Sequence, residues 1–147
     1  MLWPLPLDAN GVVVPHDHPS IENGCGIIRR VSPHQVVSDP KAPTGKRLSS
    51  AVFQGSSDAY QGMSVDIQSF IEAAGSDLKT YVSNPPWIGS IRLIAQQFRS
   101  EGFLVGAEPL PSQPHHGEVW GNFTKSKQRL FLRSCEWLVE IDGVSLG

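Results

Sequence analysis

Three groups of polar side chains have residue types and spacing that could do chemistry. In the first, Arg29 and Arg30 are followed by His34 and Asp39. Alternation along an extended chain sends the two arginines to opposite faces, so one can point into a cleft while the other is solvated. His34, directly after Pro33, stands at a turn where an imidazole can act as a base or cap a backbone group. The second group is Lys46-Arg47-Leu48-Ser49-Ser50. Adjacent hydroxyls behind two cations can hold a phosphate or a nucleotide ribose, because Arg offers a bidentate fork and Ser a short hydrogen bond. The same run also suits the solvated start of a strand. No Gly-rich loop leads into a helix here, and no GxSxG elbow presents either serine as a nucleophile. The third group is His115, His116 and Glu118, behind a proline-containing loop. On a strand starting at His116, His116 and Glu118 share a face, as an acid/base pair or as two metal ligands. His16-Asp17-His18 offers two more imidazoles. Zinc takes three or four converging ligands, and neither pair has a third close by in sequence, so no metal is assigned.

The elements that must position these groups can be read from periodicity. Residues 1–23, with prolines at 4, 6, 15 and 19, suggest an extended arm laid across the domain and docked through Trp3. Gly26 to Val31 reads as a strand halted by Ser32-Pro33, and Leu48 to Gln54 as a second. Ser64 or Asp66 can cap a helix carrying Ile67, Phe70, Ile71 and Ala74, closed by Gly75. Ser90 can cap another, with Ile91, Ile94, Ala95 and Phe98 on one face and Gly102 behind it. Phe103 to Ala107 and Gly117 to Phe123 read as strands around a proline-rich loop, and Thr124 opens a last helix that reaches Ile141. The order predicts an α+β fold: a small mixed sheet covered on one side by about three helices.

The chain has 147 residues, of which 39% are hydrophobic and 18% charged, enough apolar content for the core of one domain spanning 1–147. Twelve Lys and Arg against fourteen Asp and Glu give a net charge of -2, which disfavours nucleic acid as a partner and leaves room only for a local basic patch. Lys125, Lys127, Arg129 and Arg133 near the last helix form such a patch or its solvated face. Cys25 and Cys135 are far apart and lack metal-knuckle spacing, so both read as reduced thiols. The first residues lack a basic region ahead of their apolar stretch, and no run approaches the roughly 20 apolar residues of a membrane span. A cytoplasmic protein without a membrane partner is the expectation.

Taken in chain order, Arg30, then Ser49-Ser50, then Glu118 resemble the arginine, serine and glutamate pattern of ADP-ribosyltransferases. That resemblance implies that Arg30 and the serines hold a dinucleotide while Glu118 stabilises a ribosyl cation. Here the serine motif is Leu48-Ser49-Ser50-Ala51 in place of Ser-Thr-Ser, and His116 occupies the position two residues before the glutamate. The segments from Arg29 to Val37, Lys46 to Phe53 and Met63 to Asp66 also resemble a group of small bacterial proteins of unassigned function, which implies a bacterial origin.

Two functional expectations follow. The first is an accessory or adaptor subunit that binds a protein partner, with Trp87 in Asn84-Pro85-Pro86-Trp87-Ile88 as the docking aromatic. The alternative is a nucleotide-binding enzyme, with Arg30, Arg47, Ser49 and Ser50 on the nucleotide and Glu118, His116 and His34 as catalytic groups.

Overall fold

The computed structural model describes residues 3–147. Strand β1 (Gly26–Val31) forms where β-branched residues concentrate and ends ahead of Pro33, as the sequence predicts. A short turn at Pro33–Gln35 leads into β2 (Val36–Ser38), which pairs with β3 (Lys46–Leu48) as a separate hairpin. Then come β4 (Met63–Ile67), α1 (Gln68–Ala73), α2 (Leu78–Tyr81), β5 (Gly89–Ile94) and α3 (Ala95–Arg99). The chain closes with β6 (Leu104–Ala107), β7 (His116–Trp120), α4 (Lys125–Ser134) and β8 (Glu136–Val139). Six strands make one sheet in the order β6-β7-β4-β1-β5-β8. The α+β class is as expected, but every pair in the sheet is antiparallel where mixed pairing was anticipated.

Alternation along β1 divides the interior in two. Ile27 and Val31 join Val65, Ile67, Ile91, Val105 and Val119 in the main core, against Val52, Phe53, Phe98 and Phe131. Phe131 is the aromatic centre of that core, 4.8 Å from Phe98, 5.2 Å from Phe103 and 5.7 Å from Phe53 between ring centroids. Ile28 points the other way, into a smaller cluster with Ile71 and Val82. Helices therefore cover both faces, with α1 and α2 over the smaller cluster and α3 and α4 over the main core. One-sided cover is ruled out by the strand itself, which is apolar on both faces at Ile27 and Ile28.

Four local expectations are corrected. The residues around Ser64 and Asp66 are a strand and not a helix cap, because Met63, Val65 and Ile67 alternate into the core. Ser90 likewise lies within β5, where Ile91 and Leu93 face the main core and only Ala95–Arg99 is helical. The i, i+4 spacing of Ile91 and Ala95 is compatible with either period, and pairing with both β1 and β8 selects the strand. The strand expected from Leu48 to Gln54 stops at Leu48, where the Ser49 hydroxyl accepts from the Ala51 amide and starts a 3-10 turn over Ser50–Val52. The last helix ends at Ser134, and Glu136–Val139 pairs with β5 as an edge strand.

The N-terminal segment is not one extended arm: the chain reverses through Asp8–Val12, where Leu7 pairs antiparallel with Val13 and the Val14 amide donates to the Pro6 carbonyl at 3.0 Å, and Met1 and Leu2 lie outside the described residues. It covers the free edge of β6: the His18 amide donates to the Val105 carbonyl at 2.9 Å, and the Ala107 amide donates to His16 Nε2 at 3.1 Å. Trp3 packs on both imidazoles, with centroids 5.3 Å from His16 and 4.8 Å from His18. Thr124 caps α4 as predicted, its hydroxyl accepting from the Lys127 amide at 3.2 Å. Thr124→Ala should cost about 1 kcal/mol, read as a lower urea midpoint at unchanged slope.

Candidate functional site

A groove of about 660 Å³ opens between α4 and the β2–β3 hairpin, within the size range of small-molecule sites. Lys125, Arg129 and Arg133 fall at i, i+4 and i+8 on α4, which puts all three on one helical face along the groove. Opposite them stand Arg47 on β3 and Ser49 and Ser50 at the start of the 3-10 turn. Pro43, Leu132, Cys135 and Leu146 supply apolar lining. Arg47 is held by Asp39, Nε to Oδ2 at 2.8 Å. The Lys41 amide and that guanidinium together hold the Asp39 carboxyl below its ordinary value. Among the described residues, Lys125, Arg129 and Arg133 form no ion pair, whereas Lys127 points elsewhere and pairs with Glu101. The groove therefore concentrates positive charge in a chain whose net charge is -2. Burial pushes the Cys135 thiol up to about 11, so it lines the groove as a neutral thiol and not as a nucleophile.

A second polar cluster lies on the other face of the sheet. Arg30 and Asp66 form a bidentate ion pair, Nε to Oδ2 at 2.8 Å and Nη2 to Oδ1 at 3.2 Å, with both side chains buried. The Arg30 guanidinium also lies 5.6 Å from the centre of the Tyr81 ring. Beside this pair, Gln113, His116 and Trp87 enclose a space of about 50 Å³. Pairing between β1 and β4 extends only through Ile27↔Ile67 and Ile28↔Asp66. Beyond that point Arg29 reaches across, Nε donating to the Val52 carbonyl and Nη1 to that of Ser64.

Strand register assembles a third cluster. Gly106 pairs with Glu118 and Ala107 with Gly117, so Glu108, the next residue, lies opposite His116. His116 and Glu118 share a face of β7, and one donor atom from each of Glu108, His116 and Glu118 lies within 4.8 Å of the others. Glu118 is only 3% exposed, and among the described residues its Oε2 has no hydrogen-bond partner. Burial, followed by the neighbouring Glu108 carboxyl, pushes the Glu118 carboxyl up to about 8.

The residues singled out from sequence are thus divided between sites. Arg47, Ser49 and Ser50 come together, joined by the basic face of α4. Arg30, His116 and Glu118 lie on the opposite side of the sheet, so the arginine, serine and glutamate of the transferase-like pattern are not assembled in one cleft. Arg30 has two of its nitrogens committed to Asp66, and Ser49 caps the 3-10 turn. His34 is exposed on the turn after Pro33 and lines neither the groove nor the space beside Arg30. Trp87 is half-buried beside that ion pair, leaving Ile88 as the exposed apolar side chain of its segment. Sequence reasoning missed Asp66 and Glu108. The strand alternation from Met63 to Ile67 carried a signal for the first, whereas Glu108 joins its neighbours only through pairing of β6 with β7.

Comparison with protein families, curated proteins and solved structures finds no match to this chain. Among the described residues, no helix is long and apolar enough to cross a membrane.

Proposed function

We propose that this domain binds a phosphate-bearing ligand of nucleotide size in the groove between α4 and the β2–β3 hairpin. The observation that carries this reading is the row Lys125, Arg129 and Arg133, three cations that form no ion pair among the described residues, on one face of α4 opposite Arg47, Ser49 and Ser50. Guanidinium groups grip phosphate oxygens through paired, charge-assisted hydrogen bonds, and the serine hydroxyls add short ones. Leu132, Leu146 and Pro43 offer apolar surface for a sugar or base. The site needs neither Arg30 nor Glu118, so it supports nucleotide binding without a transferase reaction.

The accessory-subunit reading has less support. The large apolar side chains exposed among the described residues, Leu7, Val12, Ile88, Leu104 and Leu110, include only one from the Trp87 segment. That is little area for a stable protein interface.

Calorimetric titration with adenosine diphosphate and with pyrophosphate tests the proposal. Each lost charge-assisted contact is worth about 1.5–3 kcal/mol, so the double variant Arg129→Glu/Arg133→Glu should bind at least about a hundredfold more weakly at unchanged thermal stability. Binding should also weaken as salt is raised. No binding of either compound, or equal affinity in the double variant, would remove the groove from consideration.

A further inference from the structure

The cluster formed by Glu108, His116 and Glu118 lies across the sheet from the basic groove and plays no part in the reading above. Its three side chains are brought together by backbone geometry alone. His116 and Glu118 are two residues apart on β7, and the Glu108 amide donates to the His116 carbonyl at 3.0 Å, which fixes Glu108 beside them. Glu118 is almost wholly buried, and no donor reaches its Oε2 among the described residues. A buried carboxyl oxygen without a partner loses its hydration with nothing in return, and such groups are normally hydrogen-bonded, held protonated or bound to a cation.

Two further features fit a cation better than a structural accident. The His116 Nδ1 lies 2.8 Å from the Glu108 carbonyl oxygen, which can only accept, so Nδ1 carries the proton and donates. That bond orients the ring, holds Nδ1 3.8 Å from Glu108 Oε1, and leaves the Nε2 lone pair unprotonated, the arrangement in which metal-bound imidazoles are usually held. The second feature is Gly62, where a Cβ atom would come within 2.8 Å of Glu118 Oε2. A side chain at 62 would be driven into that oxygen and into Trp120 Nε1, 2.7 Å away, so glycine keeps the approach to Oε2 clear. Nearby, Asp66 is already neutralised by Arg30, so the carboxyl groups left to meet a cation are those of Glu108 and Glu118.

We infer that Glu108, His116 and Glu118 bind one divalent first-row transition-metal ion. Two carboxylate oxygens and one imidazole nitrogen suit zinc, cobalt, manganese or ferrous iron, whereas calcium and magnesium favour all-oxygen sets. Glu108 is half-buried where His116 and Glu118 are buried, so it is the ligand nearest solvent. Three protein ligands leave at least one coordination position for water or a substrate oxygen.

The test uses the full chain, stripped with a chelator and titrated with cobalt(II), which reports coordination through its visible d–d bands, followed by zinc competition. One equivalent should bind with the appearance of those bands, raise the melting temperature, and be displaced by zinc. Glu118→Gln and Glu108→Gln should each weaken cobalt binding at least tenfold. Glu108 is partly exposed, so its variant keeps the test valid if the Glu118 variant folds poorly. Failure to take up cobalt or zinc, or binding unchanged in Glu108→Gln, would overturn the assignment. Cobalt bound through His16 and His18 instead would be recognised by its loss in His16→Gln alone, and would overturn it equally.

Discussion

Asp66→Ala should destabilise the domain by about 3–5 kcal/mol, because it strands the buried Arg30 guanidinium without its counter-charge. The pair is bidentate and buried, and its two partners come from adjacent strands at the middle of the sheet. Removing one charge leaves the other desolvated, whereas removing both replaces an ion pair by apolar contact. The double variant Arg30→Met/Asp66→Leu should therefore recover most of the loss, with Tyr81 packing on the new side chains. Urea titrations of the two single variants and the double variant measure this directly. A loss below about 1 kcal/mol in Asp66→Ala would mean that water reaches the pair and screens it.

The second large effect concerns pH. In metal-free protein, Glu118 holds its proton to about pH 8 when folded, against an ordinary value of 4.5, because burial and the Glu108 carboxyl both disfavour its charge. The folded state therefore binds more protons than the unfolded state between those values, and stability falls as pH rises across that window. Glu118's contribution is fully present below pH 4.5 and lost as pH passes through about 8. Glutamine at 118 copies the neutral acid in shape and cannot ionise. Glu118→Gln should match the parent near pH 4.5 and exceed it by on the order of 2–4 kcal/mol at pH 9. Parallel stability curves for the two proteins across that range would show that Glu118 is ionised throughout.

These predictions concern residues that the sequence made visible to different degrees. Arg30, His116 and Glu118 stood out by type, and alternation correctly put His116 and Glu118 on one strand face. The role of Arg30 did not follow, because its partner Asp66 lies 36 residues away and reads equally well as a helix cap. The basic residues of α4 and the run from Arg47 to Ser50 also stand out in the sequence, but as separate features far apart along the chain. Net charge concealed what they do together, since a sum over the chain says nothing about where the cations sit.

Composition and local pattern were enough for one α+β domain, for β1, β6 and β7, and for the Thr124 cap. Each of these depends on interactions within a few residues: a β-branched run, a hydroxyl facing an amide three positions on, a proline that bars helix. Pairing across the sheet decided the rest. It turned Gly89–Ile94 into a central strand although its spacing also fitted a helix, and it set Glu108 against His116. It also sent the Ser49-Ser50 segment and Glu118 to opposite faces. Strand register and sheet order arise from hydrogen bonds and burial between distant segments, whose free energy depends on the whole arrangement and not on any local window.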